Sequence, residues 1–199
     1  MIDTVIFDIG MVLLGFDPRA HLRRLFPDDA ATAQAVWAAI WASGLWTALD
    51  GGADTAETLA RMRALAPGRE TAVELAFARA GECLYRFDYA EPWLRELRAR
   101  GLRLYYLSNY SDHTTRCAPE KLDFLRHMDG GVFSWREKLL KPDPAIYRLL
   151  CKRFSLIPAR CVFLDDRPEN VQGARNCGMH AILFEGYETA RESLQRMLR

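Results

Sequence analysis

Val5-Ile6-Phe7 is an unbroken apolar, β-rich run closed by Asp8, the pattern of a short strand buried on both faces. The spacing of apolar positions then changes. Asp17-Pro18 offers an N-cap followed by proline at the first helical position, which predicts a helix through His21, Leu22 and Leu25. From there to about Tyr85 the chain reads as wholly helical. Val36, Trp37, Ile40 and Trp41 recur at helical spacing until Gly44 interrupts, and Asp54 with Glu57 resembles a capping box ahead of Thr58 to Leu65. Pro67-Gly68 turns the chain before a further helical stretch from Glu70 to Tyr85.

Beyond this block the pattern alternates. A helix from Glu91 ends at Gly101, a C-cap residue, and Leu102 to Leu107 is a strand ending at Ser108. Val132-Phe133 is a shorter strand. Pro142 is expected to open a helix through Ile146, Tyr147, Leu149 and Leu150, and Cys161 to Leu164 is a strand ending at Asp165-Asp166. Pro168 starts a helix that stops near Gly178, Met179 to Phe184 is the last strand, and Glu188 to Leu198 the last helix. Strands separated by helices predict an α/β fold, a Rossmann-like parallel sheet with helices on both faces. The helical block is too long for a crossover and predicts a small cap over residues 15–88, inserted after the first strand into a core of 1–14 and 89–199.

Composition narrows the partners. Half of the 199 residues are hydrophobic and 27% charged, enough for a real core, and the formal net charge is +1. That balance gives no basic stripe for nucleic acid and no polybasic face for a membrane. The longest apolar stretch, Ala35 to Trp46, contains Ser43 and Gly44 and is shorter than the ~20 residues of a bilayer span. Met1-Ile2-Asp3 leads straight into the first strand with no export signal, and the five cysteines (Cys83, Cys117, Cys151, Cys161, Cys177) form no C-x-x-C. A cytoplasmic protein with buried, reduced thiols is the expectation.

In open parallel sheets ligands bind beyond the carboxyl ends of the strands. The residues there are Asp8, Ser108-Asn109 and Asp165-Asp166, with Lys141 just ahead of the Pro142 helix. Taken singly, each has a structural explanation: Asp and Ser-Asn form turns or caps, and a lysine is normally a solvated charge. Four such features in order, each closing an element, form a chemical kit instead. Carboxylates a few ångströms apart repel one another unless cations are present. Lys141 supplies one charge, and a hard divalent ion such as Mg²⁺ suits oxygen ligands without thiol or imidazole.

The segments Val5-Ile6-Phe7-Asp8-Ile9-Gly10-Met11-Val12-Leu13, Leu107-Ser108-Asn109, Lys141-Pro142-Asp143-Pro144-Ala145-Ile146-Tyr147 and Phe163-Leu164-Asp165-Asp166-Arg167-Pro168-Glu169-Asn170-Val171 resemble the four motifs of the haloacid dehalogenase-like hydrolases. The resemblance covers the whole chain. The D-x-G opening and small helical insertion look like the branch containing bacterial α-D-glucose-1-phosphate phosphatase. The resemblance implies a Mg²⁺-dependent phosphatase of small phosphorylated metabolites, with sugar phosphates one option, acting through an aspartyl-phosphate on Asp8. It also implies that Ser108, Asn109 and Lys141 hold and neutralise the phosphate. Mg²⁺ would be bound by Asp8, the Gly10 backbone carbonyl and Asp166, with Asp165 beside it.

One position departs from that pattern. Most phosphatases of the superfamily carry a second Asp two residues after the nucleophile as general acid and base, and this chain has Gly10. Losing such help typically costs ~10²–10⁴-fold. Three readings follow: a leaving group good enough to depart with less help, such as an anomeric sugar oxygen or an acyl phosphate; a substitute such as Asp17 or a cap residue; or a non-catalytic phosphate-binding or regulatory protein. A metal-free dehalogenase using Asp8 on carbon is a further alternative, against which Asp165 and Asp166 count. Tyr110, directly after the phosphate pair, is placed to touch a leaving group. Trp37, Trp41 and Trp46 either pack the cap or stack on a substrate ring, and His113 and Arg116 read as a solvated face.

Overall fold

The computed structural model describes residues 1–198. The chain opens with β1 (Thr4–Phe7) and β2 (Leu14–Phe16), then runs through α1 (Pro18–Leu25), α2 (Ala30–Trp37), a π-helical turn over Ala38–Ala42, α3 (Leu45–Asp50), α4 (Thr55–Ala64) and α5 (Glu70–Ala78). It returns through β3 (Leu84–Arg86) to α6 (Ala90–Ala99), β4 (Arg103–Ser108), α7 (Asp112–Cys117), β5 (Gly130–Phe133) and α8 (Ser134–Glu137). The remainder is α9 (Pro144–Phe154), β6 (Cys161–Asp165), α10 (Pro168–Asn176), β7 (His180–Leu183) and α11 (Tyr187–Met197).

Five strands form one parallel sheet in the order β5-β4-β1-β6-β7. Alternation of side chains feeds two cores. Val5, Phe7, Val162 and Leu164 face a cluster with Trp93, Leu94 and Leu97 of α6 and Leu194 of α11. Ile6 and Phe163 face the other, with Ile146 and Leu150 of α9 and Val171 and Ala174 of α10. The sheet is therefore covered by helices on both faces, which is the expected α/β architecture. From β1 the chain builds outward to β4 and β5, then crosses back to place β6 on the other side of β1. This reversal puts a topological switch point beside β1, where such sheets bind ligands.

The helices from α1 to α5 bury a separate cluster that includes Val36, Ile40, Leu49, Met62, Val73 and Phe77. Their start follows local chemistry: the Asp17 carboxylate accepts from Ala20 N and the Asp54 carboxylate from Glu57 N. The expectation of unbroken helix to Tyr85 fails at its far end, where β3 runs, and a further strand, β2, lies just ahead of Asp17. β2 and β3 form an antiparallel ribbon with Leu14 opposite Arg86 and Phe16 opposite Leu84. Three-residue strands carry too little periodicity to be seen in a sequence, and Gly15 reads as a turn residue. Its role here is steric: a Cβ at Gly15 would lie 2.1 Å from the Tyr85 ring.

Pro142 does not open α9. The helix begins at Pro144, where the Asp143 carboxylate caps Ala145 N. His113 is buried rather than solvated, its ring stacked 3.7 Å from Phe77 and its Nε2 2.8 Å from the Phe77 carbonyl. Arg116 is exposed and pairs with Asp112 one turn back. All five cysteines are free; Cys83 and Cys161 are buried, the other three half-buried. Among the described residues no helix is long and apolar enough to cross a membrane.

Candidate active site

Asp8 follows the last residue of β1, Ser108 closes β4 and Asp165 closes β6, so the three central strands deliver them to one sheet edge. The centre of the site is Lys141. Its ammonium lies 2.9 Å from Asp8 Oδ1 and 2.6 Å from Asp165 Oδ2, and the side chains of Lys141 and Asp165 are essentially inaccessible. Burial disfavours the lysine's charge, but the two carboxylates outweigh it and hold the ammonium above its ordinary pKa. Asp8 is raised instead: loss of hydration is the largest influence, opposed by the charge of Lys141. Asp8 Oδ1 also accepts from Ile9 N at 2.7 Å, which fixes the carboxylate against its own turn.

The surrounding residues position this pair. Asn109 Oδ1 accepts from Lys141 N at 2.8 Å and Asn109 Nδ2 donates to the Lys141 carbonyl at 3.1 Å, clamping the lysine-bearing loop to the end of β4. Asp165 accepts further from Asn170 Nδ2 and Arg167 N. Both its oxygens are thus engaged with protein donors, and its action is to hold Lys141 in place. Ser108 Oγ is buried and has no hydrogen-bond partner among the described residues, as has Tyr110 Oη. An unpartnered buried hydroxyl costs about 1–3 kcal/mol, so each is a donor awaiting an acceptor.

Oxygens of Asp8, Asp165 and Asp166 lie within 4.8 Å of one another, more negative charge than one lysine neutralises. Asp166 is half-buried and raised by its burial, then by the charge of Asp165. An all-oxygen donor set with surplus negative charge fits a hard divalent cation. Asp8 and Asp166 are the side chains open to it, and Gly10 lies in the same cleft.

That cleft has a volume of about 310 Å³. Its floor is Asp8, Gly10, Asn109, Lys141 and Asp166, and its walls include Phe16, Trp46 and Tyr110. Trp46 both lines it and packs on Phe16, Trp41 and Phe77. Trp37 and Trp41 stack on each other, with the Arg19 guanidinium 4.0 Å from the Trp37 ring, and Trp37 lines a separate depression. Asp17, considered as a substitute acid, is exposed, engaged in capping α1, and absent from the cleft.

The sequence reading missed Asp50. This last residue of α3 lines the cleft from above. Burial, then the charge of Asp8, pushes its carboxyl up to about 7, with Lys141 opposing. No sequence signal separates it from an ordinary acid before a Gly-Gly turn, because only packing brings α3 over the sheet.

The sequence matches the haloacid dehalogenase-like hydrolases over residues 2–178. It is 30% identical to phosphatase MT3486 of Mycobacterium tuberculosis, a match covering 99% of this chain and 94% of that one. It is 34% identical to acyl-CoA dehydrogenase family member 10 of Mus musculus over 113 residues, 57% of this chain but only 10% of that relative. The fold superposes on an enzyme of the same family from Bacteroides thetaiotaomicron, solved with magnesium and inorganic phosphate. Its TM-score is 0.72 at 19% identity, over 95% of this chain and 98% of that one. With a family match across almost its whole length and the fold to go with it, this chain belongs to the haloacid dehalogenase-like hydrolases.

Proposed function

We propose that this hydrolase is a Mg²⁺-dependent phosphatase of small phosphorylated metabolites, with Asp8 as the nucleophile. The observation that carries the reading is the carboxylate surplus around Lys141, because displacement of halide from carbon needs no cation site whereas phosphoryl transfer does. The similarity to a mycobacterial phosphatase along nearly the full chain supports the same choice.

Asp8 attacks phosphorus and the ester bond to the leaving oxygen breaks, giving an aspartyl-phosphate that water then hydrolyses. The Lys141 ammonium keeps Asp8 ionised in its buried setting and neutralises charge that develops on the phosphoryl oxygens. Ser108 Oγ donates to a phosphoryl oxygen, which satisfies its unpartnered hydroxyl. Asn109 serves chiefly by locking the Lys141 loop, and lines the cleft where the phosphate enters. Asp8, Asp166 and the Gly10 carbonyl would hold Mg²⁺, with Asp165 behind them fixing Lys141. The bound ion supplies positive charge to the phosphoryl oxygens and offsets repulsion among the carboxylates. Phe16 and Trp46 give the leaving group an apolar wall, and Tyr110 Oη offers it a hydrogen bond.

The test is phosphate release from a panel led by glucose-1-phosphate, with p-nitrophenyl phosphate as good-leaving-group control, in Mg²⁺ and in EDTA. Release that requires Mg²⁺ and disappears in Asp8→Asn is expected. Metal-independent hydrolysis of 2-haloacids, or turnover by Asp8→Asn, would overturn the assignment.

A further inference from the structure

The helical insertion carries a carboxyl that the motif residues do not account for. We propose that Asp50 enters from this insertion as the proton donor and acceptor of the site, the role for which Gly10 has no side chain. The inference rests on the phosphatase reading above and adds to it the source of the leaving-group proton.

Three geometric facts support it. Asp50 lines the same cleft as Asp8, Gly10, Lys141 and Asp166, but from α3 of the insertion rather than from the strand ends, alongside Trp46 and Thr47 of the same helix. Residues one and four positions apart from Trp46 fall on one side of a helix, so α3 presents this side to the cleft. Second, its carboxyl makes no hydrogen bond and no ion pair among the described residues, whereas Asp17, Asp29 and Asp54 in the same insertion all cap helices. Third, its backbone is fixed to the sheet. The Asp50 carbonyl accepts from Ser134 Oγ at 2.5 Å, and that buried hydroxyl in turn accepts from Tyr110 N at 2.9 Å. One serine thus ties the end of α3 to the turn that follows Ser108 and Asn109. The chain then passes so close to the sheet side that a Cβ at Gly52 would meet the Trp135 carbonyl at 2.6 Å.

The electrostatic setting agrees. The titratable and charged groups sharing the cleft are Asp8, Lys141, Asp166, Arg167 and Tyr110. Desolvation first, and the Asp8 charge next, raise the Asp50 carboxyl above its ordinary value, the direction that suits a group that must give a proton and then take one. Tyr110 is pushed upward by burial first and by Asp50 next, so it stays neutral and cannot substitute as a base.

The proton balance closes. As Asp8 bonds to phosphorus and the ester P–O bond breaks, the departing oxygen takes the Asp50 proton and leaves as an alcohol. Asp50, now a carboxylate, accepts a proton from the water that attacks the aspartyl-phosphate. Inorganic phosphate departs, with Asp8 ionised and Asp50 protonated again.

The test compares wild type and Asp50→Asn, both with Mg²⁺, on an alkyl phosphate such as glycerol phosphate and on p-nitrophenyl phosphate. The alkyl ester needs a proton on its leaving oxygen and the nitrophenolate does not. The expected result is a fall of about 10²–10⁴-fold in kcat for the alkyl ester, with p-nitrophenyl phosphate far less affected. Asp50→Ala, which keeps the helix and its Ser134 contact, is the second variant should the amide misfold. No atom lies within 4 Å of a Cβ at Gly10, so Gly10→Asp can be combined with Asp50→Asn, and the double variant is expected to regain alkyl-ester turnover. Equal rates for wild type and Asp50→Asn on both esters would overturn the inference and leave the phosphatase reading standing. An equal loss on both esters would also overturn it. A wild type that releases phosphate from neither would overturn both.

Discussion

Replacing Lys141 by methionine isolates the electrostatics of the site, because it removes the ammonium and keeps most of the stem. In the folded protein the ammonium pairs with both Asp8 and Asp165 at 2.9 and 2.6 Å, with Asp165 fully buried. Removing one partner of a buried pair leaves an uncompensated charge and costs about 3–5 kcal/mol. In a domain of this length each kcal/mol is worth about 2–4 °C, so the melting temperature should fall by about 6–20 °C.

The pH dependence fixes the cause. With the lysine gone, Asp8 loses the charge that opposes its burial, and its carboxyl rises further above the ~3.9 of an unfolded Asp. Above that value the folded state binds more protons than the unfolded state, so stability falls as pH rises, by up to ~1.4 kcal/mol per unit for each proton. The gap between variant and wild type should therefore be small at pH 5 and large at pH 8. Mg²⁺ at 100 times its Kd should return about 2.7 kcal/mol. Denaturant titrations of both proteins at the two pH values, with and without Mg²⁺, measure all three quantities. A gap below about 1 kcal/mol at pH 8, unchanged at pH 5, would refute the reasoning.

Other perturbations probe the scaffold. Trp93, 1% exposed between Phe7, Phe184 and Tyr187, is the largest fully buried side chain; Trp93→Ala should cost about 3–5 kcal/mol by denaturant titration. Gly131→Ala places a Cβ 2.5 Å from the Tyr106 carbonyl, a backbone atom that cannot swing aside, and should destabilise by about 1–3 kcal/mol; an unchanged midpoint would contradict that overlap. Burial holds His113 below its ordinary pKa. Below about 6.5 the unfolded chain takes up a proton that the folded chain resists, so this histidine removes stability as pH falls. Wild type should lose more stability than His113→Phe between pH 7.5 and 5.5, and identical losses would sink the argument.

The parallel sheet was legible because its buried strands are short continuous apolar runs, each closed by a chemically distinctive residue. Asp8, Ser108 and Asp165 mark strand ends in the sequence as they do in the structure. What stayed hidden depends on tertiary packing. The ribbon of β2 and β3 exists through pairing between residues about 70 positions apart. His113 lies on a helix with charged neighbours, and contact with Phe77 and Trp46 from the insertion buries it. Asp50 follows the same logic, since its significance comes from the elements above and below it. The start of α9 was misjudged for a local reason: two prolines flank Asp143, and either suits an N-terminus until the Asp143 cap decides between them.

The ribbon also bears on how such a chain diversifies. Leu14 and Arg86 are register partners, so everything between them leaves and re-enters the sheet layer at one place. A segment whose two ends already sit side by side can be lengthened, shortened or exchanged without breaking a strand pairing of the five-stranded sheet, at only the modest entropy of closing a different loop. The strand-end residues and the helices that overhang them are in this way carried on separable pieces of chain. The helices can change length or packing while the strand ends stay as they are.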